Sequence, residues 1–86
     1  MMVLDFPNKA RSYDRNRRCV RFLGYDGLFE VSFFVQANAL VSTENGINEG
    51  ELLQVFDGAR GTVYDAARKV YARGRQAAYL VTAKDF

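Results

Sequence analysis

The 86-residue chain contains no histidine and a single cysteine. Without imidazole it lacks the commonest general base, the commonest metal ligand and the Ser–His and Cys–His nucleophile pairs. A lone thiol forms no intramolecular disulfide, which points to a cytoplasmic protein. The stretch Met1 to Pro7 has neither a basic start nor a long apolar core, so no secretory signal is expected there. Long hydrophobic runs are missing as well. The most apolar stretch, Val31 to Leu40, is broken by Ser32, Gln36 and Asn38. It falls well short of the roughly 18 apolar residues that cross a bilayer, so no membrane partner is expected. Positive charge is absent from the middle of the chain: residues 22–59 hold no Lys or Arg.

What is present is ordinary globular composition, 49% apolar and 26% charged, enough for one small domain over residues 1–86. The net charge of +2 conceals a segregation. Lys9, Arg11, Arg15, Arg17, Arg18 and Arg21 are opposed only by Asp14. The middle carries Asp26, Glu30, Glu44, Glu49, Glu51 and Asp57. Arg60, Arg68, Lys69, Arg73 and Arg75 then follow, against Asp65 alone. Basic ends around an acidic middle suit solvated faces with internal pairing, a nucleic-acid patch, or charge complementarity across a homodimer.

Residues 1–17 read as an extended arm with turns at Phe6-Pro7-Asn8 and Ser12-Tyr13-Asp14. Residues 18–35 read as a β-hairpin about Asp26-Gly27, a pair suited to a two-residue turn with positive φ. That turn sets Tyr25 opposite Leu28, Leu23 opposite Glu30 and Phe22 opposite Val31. One face collects Val20, Phe22, Phe29, Val31 and Phe33 and is expected to meet the core. The other collects Cys19, Arg21, Leu23, Tyr25, Leu28, Glu30, Ser32 and Phe34, a half-wet mixture. Residues 36–42 read as a short helix and Thr43-Glu44-Asn45-Gly46 as a loop.

From Asn48 the period changes. Asn48 with Glu51 makes an N-terminal capping signal. Leu52, Phe56, Ala59, Val63, Ala66 and Val70 then line one side of a helix over residues 49–73, with Gly74 as its stop. The helix carries Glu49 and Glu51 at its start and Arg68, Lys69 and Arg73 near its end, as the macrodipole favours. Gly58 and Gly61 inside it mark a close backbone approach or a local bend. They are not a phosphate loop, since no G-x-x-x-x-G-K-[ST] surrounds them. Residues 77–82 read as a strand. The expected fold is α+β: a small three-stranded antiparallel sheet in β-β-α-β order, packed on one long helix.

Several of these segments together resemble a known family. They are Phe6-Pro7-Asn8, Ser12-Tyr13-Asp14, Val20-Arg21-Phe22-Leu23-Gly24-Tyr25-Asp26-Gly27, Glu30-Val31-Ser32-Phe33-Phe34-Val35, Ala39-Leu40, Ala67-Arg68-Lys69-Val70-Tyr71-Ala72-Arg73-Gly74 and Asp85-Phe86. In that order they are similar to DUF1488, a family of short bacterial proteins of unknown function. The resemblance spans nearly the whole chain and implies a compact α+β protein. It implies no activity and carries over no catalytic or ligand residue.

The chemistry-bearing residues point the same way. Cys19 stands among Arg17, Arg18 and Arg21, which favour a thiolate, but a strand cysteine without a base is normally an apolar filler. Asp26 is used by its turn, and Glu49 and Glu51 by the helix start. Glu44-Asn45-Gly46-Ile47-Asn48-Glu49 lacks the EF-hand pattern. Tyr64 and Tyr71 sit beside the helix stripe, as core rim or second contact surface. One helix covers only one face of the sheet. Leu23, Tyr25, Leu28 and Phe34 must therefore be shielded by the short segment 36–41, by the arm or by a second copy, or remain an exposed patch; with Arg21 and Glu30 they make the candidate interaction face.

The expectation is a non-catalytic protein-interaction or regulatory module using that face, homodimeric, with an unidentified protein partner and without cofactor or metal. The alternative is a nucleic-acid-binding accessory protein using Arg11, Arg15, Arg17, Arg18, Arg68, Lys69, Arg73 and Arg75. Sheet aromatics beside arginines can stack bases, yet residues 21–27 do not match the RNP1 pattern and Glu30 shares the face.

Overall fold

The computed structural model describes residues 4–41 and 47–86. The expected loop Thr43-Glu44-Asn45-Gly46 and the carboxylate of Glu44 lie outside the described residues. The strongest element is the predicted hairpin, β3 (Cys19–Asp26) with β4 (Phe29–Gln36). Its central turn pair is Gly27-Leu28, not Asp26-Gly27: Asp26 pairs with Phe29, Tyr25 with Glu30, Leu23 with Ser32 and Phe22 with Phe33. Gly27 takes the left-handed conformation at φ 61°, the first central position that a Gly-X hairpin turn reserves for glycine. Asp26 is thereby spared a positive φ and stays in the strand. The register is two residues from the expected one. An even shift leaves every side chain on its predicted face.

The sheet is larger than expected and mixed rather than antiparallel throughout. Two short strands from the arm, β1 (Leu4–Asp5) and β2 (Arg11–Asp14), both pair antiparallel with β3 along its free edge. The arm is thus part of the sheet, not an extended cover for it. The last strand, β5 (Tyr79–Val81), pairs parallel with β4. Parallel neighbours need a long crossover, and the helical segment after β4 supplies one. With the β3 edge occupied by the arm, β5 joins the sheet at β4. The order is β1 and β2 beside β3, then β4, then β5, five strands in all.

The crossover holds α1 (Ala37–Leu40), α2 (Glu49–Gly58) and α3 (Arg60–Ala72). Residues 49–73 therefore form two helices where one was expected. The break is at Ala59 (φ −110°, ψ 12°), between Gly58 and Gly61. Neither glycine is crowded: a Cβ on either meets nothing within 4 Å. The bend, not a close approach, accounts for them. Asn48 caps α2 as expected, accepting from the Glu51 N–H at 2.8 Å within a reciprocal capping box.

The helices pack on the face predicted to meet the core. Leu52, Phe56, Val63, Ala66, Ala67 and Val70 close over Val20, Phe22, Phe33 and Val35, with Tyr79 and Val81 from β5. Phe29 shares this face by register but lies at the hairpin tip, beyond the helices, and is 78% exposed. A single 3₁₀ turn, Ala83–Asp85, ends the chain.

Candidate interaction face

The opposite face of the sheet is built in rows by the strand pairing. One row is Ser12, Arg21, Phe34 and Leu80, from β2, β3, β4 and β5. The next outer row along β3 is Leu23 with Ser32, and the one after it is Asp5, Tyr25 and Glu30. Cys19 and Gln36 pair at the far end. None of these residues belongs to the hydrophobic cluster that the helices form with the sheet. Arg17, at the end of the arm, lies over Phe34, which is buried, but the rest of the arm leaves Leu23, Tyr25 and Leu80 uncovered. Phe6 turns to the helix side, stacked on Tyr64 with ring centroids 4.0 Å apart and in contact with Phe22 and Phe33.

Of the predicted interaction residues, the structure brings Arg21, Leu23, Tyr25, Glu30 and Phe34 onto this one face. Leu28 is a correction: it sits in the turn, fully exposed, because the register moves it out of the strand. Asp5 and Leu80 belong to the face and were missed. Asp5 was invisible while the arm was read as lying outside the sheet. Leu80 is not legible either: Tyr79-Leu80-Val81 is apolar throughout, and it is the pairing with β4 that turns Tyr79 and Val81 inward and Leu80 outward.

The face is apolar in its middle and charged at its ends. Leu23 and Tyr25 are half-buried and Leu80 is 47% exposed. Arg17 lies over the Phe34 ring at 4.5 Å, and Arg21 donates to Ser32 Oγ at 3.1 Å. Across the sheet from them, Tyr25 donates its hydroxyl to Glu30 Oε2 at 3.0 Å. A groove of about 410 Å³ runs beside β5 between Arg17, Cys19, Phe34, Gln36, Tyr79 and Leu80. Cys19 is buried there, its thiol donating to the Arg17 carbonyl at 3.2 Å. It is packed as a filler rather than presented as a nucleophile.

The residues of the nucleic-acid alternative are spread over other tasks. Arg11 forms a two-pronged pair with Asp57, and Arg15 an ion pair with Glu49. Arg17 lies 3.9 Å from Asp14. Arg68 pairs with Asp65, donates to the Leu4 carbonyl and covers Phe6. Arg73 pairs with the buried carboxylate of Asp85 at 2.8 Å. Arg18 holds a left-handed turn position at φ 51°, and Lys69 is exposed on α3.

Arg75 lines a separate hollow of about 230 Å³ with Asp26, Glu30, Tyr71 and Tyr79. The two carboxylates there are each engaged by a tyrosine hydroxyl, Asp26 by Tyr71 at 2.6 Å and Glu30 by Tyr25. The hydrogen bond to Asp26, with some burial, holds the Tyr71 phenol above its usual range, the opposite of what a phenolate nucleophile needs. Among the described residues no three His, Cys, Asp or Glu side chains cluster to hold a metal ion, and no helix is long and apolar enough to cross a membrane.

Fold and site together describe a small α+β protein with a helix-covered core and an open, charge-ended sheet face. Residues 4–82 match the model of a family described as "Protein of unknown function (DUF1488)", and the chain belongs to that family. No curated protein and no solved structure matches it significantly.

Proposed function

We propose that this protein is a non-catalytic protein-interaction or regulatory module that works in the cytoplasm through the outer sheet face. The observation that carries the reading is the uncovered second face itself. Leu23 stands at its centre, with Tyr25 and Leu80 in the flanking rows, while the helices and Phe6 all pack on the other side. Exposed apolar side chains interspersed with charge at the rim are the usual make-up of a protein contact surface. Nucleic acid is the weaker reading. Asp5 and Glu30 flank Tyr25, where a stacked base would bring its phosphates, and Arg11, Arg15, Arg68 and Arg73 are occupied by carboxylates.

The test is site-specific photo-crosslinking in cells. Leu23→p-benzoylphenylalanine is expected to give discrete protein adducts, and Lys69→p-benzoylphenylalanine, on exposed α3, is expected to give none. An absence of adducts from position 23, or adducts to nucleic acid alone, overturns the proposal.

A further inference from the structure

The outer face is electrostatically self-complementary. Its Arg21 row is basic, with Arg17 over the neighbouring Phe34. Its Tyr25 row is acidic, with Asp5 on one side of the tyrosine and Glu30 on the other. Leu23 lies midway between the two rows. Arg21 and Tyr25 are four residues apart on one strand, about 13 Å. A two-fold axis lying in the contact plane, across the strands at Leu23, reverses strand direction. It lays the Arg21 row of one copy over the Tyr25 row of the other, twice. Each Arg21 guanidinium then meets the partner's Tyr25 ring between the partner's Asp5 and Glu30. That geometry offers cation–π contact and carboxylate pairing together.

We infer that the partner of this face is a second copy of the chain, held in an isologous dimer by Arg21 against the partner's Asp5, Tyr25 and Glu30. The inference rests on the interaction reading above and names its partner. Two-fold closure is what a self-complementary patch produces, and it leaves no unsatisfied end to propagate. Size sets the strength. The five strands together, at about 3.3 Å per residue along and about 4.8 Å across, present on the order of 400 Å² per copy. About 800 Å² in total lies below the standard size of specific interfaces, so a weak, readily reversible dimer with a Kd of tens of micromolar or more is expected.

The test is sedimentation velocity from about 5 µM to about 500 µM, a range that brackets a Kd of tens of micromolar. Wild-type protein is expected to pass from monomer to dimer across it. Arg21→Glu places like charges together and is expected to weaken self-association by roughly a hundredfold or more. The double variant Asp5→Arg/Glu30→Arg is expected to do the same from the other side. Mixing the two variants restores opposite charges at both contacts, so the mixture is expected to dimerise although neither component does. Circular dichroism confirms that each variant is folded. A wild type that stays monomeric to the top of the range, or a mixture that stays monomeric, overturns the inference. In that case adducts from position 23 to a different protein would leave the interaction reading standing, and their absence would remove both.

Discussion

Gly24 lies on the helix side of β3, between the stretches that pair with β1 and β2. A Cβ there would stand 2.9 Å from Phe6 Cε1, 3.0 Å from Phe33 Cε2 and 3.2 Å from Leu4 Cδ1. Glycine in a strand normally weakens it, so its presence is explained by the aromatic ring that fills the gap. Gly24→Ala is expected to cost about 1–3 kcal/mol by overpacking. The cost should fall in a Phe6→Ala background, where the nearest of the three contacts is gone and Phe33 and Leu4 have room to give, and urea unfolding of the four-member cycle measures that coupling. Asp85 is a second position where one residue sets a property. Burial opposes its charge, but hydrogen bonds from the Thr82 N–H and hydroxyl and the Arg73 guanidinium outweigh it, so the carboxyl sits below its ordinary value. A depressed folded-state pKa adds stability that is complete above the unfolded value, near 4, and is lost as pH falls through the folded one. Asp85→Asn is therefore expected to be less stable than wild type at neutral pH. The difference should shrink steadily below about pH 4, where protonation removes the same charge.

At the scale of elements, patterns that repeat locally were legible and pairings that depend on distant chain were not. The α2–α3 stripe was readable because Leu52, Phe56, Val63, Ala66 and Val70 recur at helical spacing, and all are buried. The two faces of the hairpin were readable because strand alternation survives the even shift in register. The turn itself was misplaced: Asp26-Gly27 and Gly27-Leu28 both satisfy the demand for a left-handed glycine, and the choice is made by packing, where Asp26 accepts from Tyr71 45 residues on. The strands β1 and β2 are not legible: Leu4–Asp5 is too short to show alternation and pairs with Tyr25 and Asp26 far along the chain, and Arg11-Ser12-Tyr13-Asp14, although it pairs with the next strand across residues 15–18, has one apolar side chain in four. The parallel placement of β5 depends on which sheet edge the arm leaves open. The helix itself yields a paired prediction. Asn48→Ala removes the cap and is expected to cost about 1 kcal/mol. Gly61→Ala meets no neighbour and is expected to gain about 0.4–1 kcal/mol by restricting the unfolded chain. Opposite shifts in the thermal midpoint check both; a loss from Gly61→Ala would mean that the bend at Ala59 requires glycine beside it.

For the whole molecule, the charge segregation of the sequence is largely an assembly code within one chain. The basic first block meets the acidic middle at Arg11–Asp57 and Arg15–Glu49, and Arg60 joins the same Asp57 at 2.7 Å. These pairs set the arm against α2 and α3. Exposed ion pairs are individually worth little, up to about 1 kcal/mol and less in salt, so they alone do not hold the arm. Arginine hydrogen bonds to the main chain of the arm add to them. Arg60, with 18% of its side chain exposed, donates to the Lys9 carbonyl at 2.8 Å and to the Tyr64 hydroxyl at 2.6 Å. Arg68 donates to the Leu4 carbonyl at 3.3 Å and covers Phe6, which stacks on Tyr64. Arm and helix are thus joined through main-chain oxygens, which no side-chain change in the arm can remove. Arg60→Ala/Arg68→Ala is expected to leave the β3–β4 hairpin protected from amide hydrogen exchange while β1 and β2 exchange at least tenfold faster, the response to losing about 1.4 kcal/mol of local stability. Equal acceleration across the sheet would show instead that the arm and hairpin open together as one cooperative unit. Unchanged exchange would assign the arm's attachment to strand pairing and Phe6 alone. The first outcome also bears on the outer face, because Asp5 takes its place beside Tyr25 only while β1 is paired.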